Sequence, residues 1–122
     1  MTTRETGNLG EDIACAFLRR KGYKVIDRNV RKKWGEVDIV ATRGAVLHIV
    51  EVKSGSRVTP TLEGARYRPE EHVTADKVLK LRRMAEWYVA EKRWAGECQI
   101  DVIGIDLDVE KKRATCRMTS LL

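Results

Sequence analysis

The sequence predicts an α/β fold, with helices packed against a mixed β-sheet. Two observations carry this prediction. The apolar patterns run in the order helix, three strands, helix, two strands, which sets helices against a sheet. In addition, no repeat, low-complexity stretch or internal linker divides the 122 residues, so residues 1–122 read as one domain with one core. Asn8 or Gly7 starts the first helix, which runs through about Lys21 with Leu9, Ile13, Ala16 and Phe17 on one face and Gly22 as its stop. YKVIDRNV, residues 23–30, reads as the first strand. GEVDIV (35–40) and LHIVEVK (47–53) are the next two, joined through TRGA, where Gly44 supplies the positive φ of a tight hairpin. The second helix spans about Thr74 to Arg93, gathers Leu81, Met84, Ala85 and Tyr88 on one face, and ends at Gly96. CQIDVIGIDLD is the fourth strand, and RATCRMTS a short edge strand after the turn VEKK.

Composition narrows the class of protein. Apolar residues at 43% beside charged ones at 34% describe a folded chain with a heavily charged surface, not a disordered one. No run approaches the roughly 18 to 20 apolar residues of a membrane span, and MTTRETGNLGED has no apolar signal core, which predicts a cytoplasmic protein without a membrane partner. Cys15, Cys98 and Cys116 are odd in number, far apart and free of any Cys-x-x-Cys pair, so reduced thiols are expected and neither a disulfide framework nor a zinc site. Lys and Arg number 24 against 18 Asp and Glu, a net charge of +6 that favours a polyanion. The densest basic stretch, DRNVRKKWGE, offers Arg28, Arg31, Lys32 and Lys33 to phosphates. Its Trp34 is expected to be a packed indole, the other reading being an aromatic surface for bases.

The two hairpin strands carry charge where a sheet interior is expected. If Gly44 and Ala45 form the turn, Arg43 pairs with Val46, and counting outward sets Asp38 opposite Glu51, with Lys53 on the same face by strand alternation. A turn at Arg43 and Gly44 leaves Asp38 diagonal to Glu51 on that face. Two carboxylates and an ammonium on an apolar surface make sense if a divalent cation lies between the acids, and oxygen ligands suit Mg²⁺ (or Mn²⁺). A structural salt-bridge triad is the alternative.

Asp38, twelve intervening residues, then Glu51-Val52-Lys53 resembles the Asp…Glu-x-Lys signature of the PD-(D/E)XK nuclease superfamily. With GNLGEDIACAFLRRKGY, TADKVLKLRRMAEWYV and QIDVIGID, it resembles the YraN-like family of uncharacterised bacterial proteins, similar to archaeal Holliday junction resolvases, from about Gly7 to Asp106. The resemblance implies a restriction-endonuclease-like core of a mixed five-stranded sheet flanked by helices. It implies metal binding by Asp38, Glu51 and the carbonyl of Val52, water activation by Lys53, and a catalytic role for the first-helix residue Glu11. The proline of the superfamily's name is Val37 here. For Glu11, the helix dipole is the competing explanation of a carboxylate near a helix start.

Other residues sort by position. Asp101 reads as structural or as a support behind the site rather than as catalytic, and His48 alternates away from the acids toward core or surface. Ser54 to Val73 reads as a twenty-residue loop whose Arg57, Arg66, Tyr67 and Arg68 either close over a bound strand or decorate a surface insertion. His72 in it carries no clear role. Lys77 falls in the apolar arc of the second helix and should point toward the acids or a substrate phosphate, while Arg82 faces solvent. The expected function is a metal-dependent endonuclease, or nuclease-like protein, on DNA and branched DNA, acting as a two-fold homodimer. A non-catalytic nucleic-acid-binding module and an RNA-processing nuclease are the alternatives.

Overall fold

The structure, a computed structural model, describes residues 2–56, 68–108 and 110–121. Helix α1 (Thr3–Arg20) is followed by strands β1 (Lys24–Lys32), β2 (Gly35–Arg43) and β3 (Val46–Ser56). A 3₁₀ turn at Pro69–His72 leads into α2 (Ala75–Lys92), then β4 (Glu97–Asp108) and β5 (Arg113–Ser120). The sheet runs in sequence order, β1-β2-β3-β4-β5. Only β3 and β4 are parallel, and a parallel pair needs a long crossover, which the segment containing α2 provides. This is the mixed five-stranded α/β sheet expected, consistent with a restriction-endonuclease-like core.

Each helix covers one face. Ala14, Cys15 and Leu18 of α1 pack on Ile39, Ala41, Val50, Ile103 and Ile105. Leu81, Met84, Ala85 and Tyr88 of α2, the face read from helical spacing, pack on Val40, Leu47, Ile49 and Ile100. The central strands β3 and β4 are thus buried on both sides, as parallel strands require. Cys15 is buried and all three cysteines are free thiols. No helix among the described residues is long and apolar enough to cross a membrane.

Several boundaries differ from the sequence reading, each for a local reason. Helix α1 starts at Thr3, because Thr2 and Glu5, three residues apart, form a capping motif in which the Thr2 side chain accepts the Glu5 amide at 3.1 Å. The second helix ends with Arg93 in the left-handed region at φ 52°, not at Gly96. Gly96 instead lets β4 pass close to the β2–β3 turn, where a Cβ would run into the Ala45 carbonyl oxygen. The first strand continues past Val30 to Lys32, so Arg31 and Lys32 join Arg28 on an edge strand, and their charge discourages pairing with a further chain. Where the sequence reading placed a loop from Ser54, strand β3 runs on to Ser56 and a 3₁₀ turn spans Pro69–His72. Arg57, Arg66 and Tyr67 lie outside the described residues.

Candidate active site

The β2–β3 hairpin forms as its residues dictate. Gly44 adopts φ 59°, and the register pairs Arg43 with Val46 and continues outward to Ile39 with Val50. There the regular pairing stops. In place of a further ladder step, the Asp38 carboxylate accepts the Val52 amide, Val52 N–H to Oδ2, at 2.7 Å. Val37 packs on the α2 side and Ile39 on the α1 side, so the strand breaks alternation at Asp38. Its neighbour Asn29 on β1 takes a left-handed φ of 52°. Glu51 follows Leu47 and Ile49 onto the α2 face and is only 5% exposed.

The two acids are held in a costly state. Burial, then the charge of Asp38, pushes the Glu51 carboxyl from its ordinary value of 4.5 up to about 7, against the pull of Lys77 and Lys53. Burial also raises Asp38; the Val52 amide opposes the rise, and Glu11 and Glu36 add to it. Glu51 Oε2 is buried and has no hydrogen-bond partner among the described residues. Lys77 stands beside it, with Nζ at 3.6 Å, and also reaches Glu36 at 3.9 Å. Lys77 therefore points inward, as helical spacing predicts. Thr74 caps α2 by accepting the Lys77 amide at 3.1 Å, so a cation stands in the positive first turn, where the two acids offset it. Arg82 faces outward and pairs with Glu86 at 3.6 Å.

Glu51 and Lys53 line a cavity of about 320 Å³ together with Glu36, His72, Asp76 and Lys77. Glu36, His72 and Asp76 were not singled out by sequence. Only the pairing of β2 with β3 and the entry of α2 bring them here, so no local pattern marks them. Glu11 is eight residues past the start of α1, so the helix dipole does not explain it. Its Oε1 accepts from Arg28 Nη2 at 3.2 Å and from Asn29 Nδ2 at 2.8 Å. Arg28 also pairs with Asp12 at 2.8 Å, so two carboxylates already hold this guanidinium.

The donor set suits a hard cation to a limited degree. Among the described residues, no group of three or more His, Cys, Asp or Glu side chains could hold a metal ion. Asp38 and Glu51 supply two carboxylates, and Mg²⁺ is commonly bound by one or two carboxylates with water completing its octahedron. The unbonded Glu51 oxygen and the mutual repulsion of the pair are what a cation would relieve.

A basic groove adjoins the cavity. Arg31, Lys32, Lys33 and Lys80 line it, and it shares Glu36 and Lys77 with the acid cavity. Trp34 is there too, 42% exposed and not packed away, touching Trp87 edge-on at a centroid distance of 6.4 Å. Arg68 is exposed beside the 3₁₀ turn, which Glu70 ties to Arg117 of β5 at 2.8 Å. Away from the acids, His48 Nδ1 lies 2.6 Å from Asp101 Oδ2, both buried, and Gln99 donates to Asp101 Oδ1 at 2.7 Å. His48 and Asp101 are thus a core pair: core was one of the two places expected for His48, and its pairing with Asp101 was not read from the sequence.

Fold and site together define an α/β protein in which buried Glu51 lines a small cavity that shares Glu36 and Lys77 with a basic groove, while Asp38 acts on Glu51 through its charge without being one of the cavity-lining residues. Residues 10–105 match the uncharacterised protein family UPF0102, and the chain belongs to that family. It is 37% identical over 115 residues to a UPF0102 protein of Moorella thermoacetica, covering 93% of this chain and 91% of that one. A UPF0102 protein of Thermotoga petrophila is 38% identical over 95 residues, covering 78% and 81%. One from Syntrophotalea carbinolica is 44% identical over 87 residues, covering 71% and 66%.

Proposed function

We propose that the chain is a metal-dependent phosphodiesterase of the PD-(D/E)XK type that cleaves DNA, branched DNA included. The observation that carries this reading is Glu51: a buried carboxylate with one oxygen lacking a hydrogen-bond partner, made harder to ionise by the charge of Asp38, sharing its cavity with Lys53 and Lys77, beside a basic groove. Burying such a charge costs stability unless something compensates it, and a site for chemistry is where such a cost is kept. A bound Mg²⁺ or Mn²⁺ would polarise the scissile phosphate and acidify a water. Asp38 and Glu51 would hold it, with the Val52 carbonyl as a further oxygen. Lys53 stabilises negative charge growing on the phosphate, and Lys77 adds a second cation across the cavity. Glu11 acts as a positioning residue: it holds Arg28 and Asn29 beside Asp38. Cleavage of both strands of a branched duplex calls for two sites, hence a two-fold dimer, which sedimentation with and without DNA tests.

The binding-module reading draws on one observation, that Lys77 and Arg28 already neutralise part of the acid cluster without a metal. Purified protein incubated with labelled linear, flapped and four-way DNA and with matching RNA, in Mg²⁺ or Mn²⁺ and in chelator, separates the readings. Metal-dependent cleavage of DNA that chelator abolishes is expected. Binding without cleavage in any metal refutes the enzyme, and cleavage confined to RNA refutes the substrate.

A further inference from the structure

The groove beside the acid cavity has the composition of a surface for unpaired bases. Five cations line it, Arg31, Lys32, Lys33, Lys77 and Lys80, against one acid, Glu36. Its volume is about 430 Å³. Trp34 stands in its wall with 42% of its surface exposed, a large indole that the fold leaves half in water although the α2 core is adjacent. Its contact with Trp87 is edge-on, the planes 80° apart, so the two rings do not cover each other face to face. Lys32 sits with its ammonium 4.3 Å from the Trp87 ring centre, which fixes a cation beside the indole pair. Glu36 and Lys77 belong to both walls, so the groove adjoins the cavity of Glu51 and Lys53.

We propose that this groove binds a single-stranded segment of nucleic acid, a base stacked on Trp34 and its phosphates on the groove's Arg and Lys side chains, leading the backbone into the acid cavity. The inference rests on reading that cavity as a phosphodiesterase site, and it narrows the substrate to nucleic acid with unpaired nucleotides next to the scissile bond. Cations alone would hold duplex equally well, because phosphates are common to both. The exposed indole is what discriminates, since a base in a duplex is already stacked and a free one presents its face.

The test measures binding in chelator, where no hydrolysis interferes. A short labelled oligodeoxynucleotide and the blunt duplex of the same sequence are titrated with wild type, Trp34→Ala and Trp34→Phe. Trp34→Ala is expected to weaken single-strand binding about 5- to 100-fold and to leave duplex binding within about twofold, while Trp34→Phe keeps most of the single-strand affinity. An unchanged single-strand affinity in Trp34→Ala, or an equal loss on single strand and duplex, overturns the proposal. Failure of cleavage with metal, with the contrast intact, refutes the phosphodiesterase and not the stacking. Cleavage without the contrast refutes the stacking alone.

Discussion

Glu51→Gln should make the protein more stable, and more so at high pH. In the folded chain burial and Asp38 hold the Glu51 carboxyl near pKa 7, against 4.5 ordinarily. Between those pH values the folded chain keeps a proton that the unfolded chain has released, so stability falls as pH rises through the window and stays lowered above it. A rise from 4.5 to about 7, at about 1.4 kcal/mol for each tenfold change in acidity, comes to roughly 3 kcal/mol. The glutamine keeps the shape and removes the charge. Its gain should be near zero at pH 4 and approach that value at pH 8, a rise in Tm of roughly 10 °C for a domain of this length. Thermal melts of both proteins in chelator across pH 4 to 8 measure it. A gain that does not change with pH, or none at pH 8, refutes the claim that Glu51 is a strained buried acid.

Three further outcomes follow from the site. Nucleic-acid affinity should fall with salt, log K against log salt having a slope of about −3.5 if all five groove cations meet phosphates of a single strand; a flat plot removes nucleic acid as the partner. Lys77→Ala should fold and should lower affinity or cleavage more than Arg82→Ala, because Lys77 reaches Glu51 while Arg82 pairs with Glu86 at the surface; equal effects take Lys77 out of the site. Asp101→Ala should cost about 2 kcal/mol or more in a urea melt by leaving buried His48 and half-buried Gln99 without their partner, with metal binding retained; loss of metal binding in a folded variant would make Asp101 part of the site.

What could be read ahead of the structure was what local chemistry governs. The hairpin register followed from Gly44 between two runs of Val and Ile, and the inward aim of Lys77 from helical spacing. The break at Asp38 was not legible, because it depends on a carboxylate replacing a ladder hydrogen bond between strands. Nor was the pairing of Arg28 with Glu11, which needs β1 to lie under α1. His72, Glu36 and Asp76 enter the cavity through tertiary placement alone. The exposure of Trp34 ran against expectation because β1 extends through the basic stretch and lifts the indole onto the strand turn. The early start of α1 was visible in Thr2 and Glu5, a capping pair overlooked beside the stronger apolar pattern.

Calorimetric titration of Mn²⁺ into wild type and into Asp38→Ala measures the central claim most directly. Burial raises the carboxyls of both Asp38 and Glu51, and the charge of Asp38 raises Glu51 further. Wild type should bind the cation with release of protons near pH 7, and Asp38→Ala should lose most of that affinity while remaining folded. Equal Mn²⁺ affinity in the two proteins would contradict a metal site at Asp38 and Glu51, and with it the phosphodiesterase built on that site.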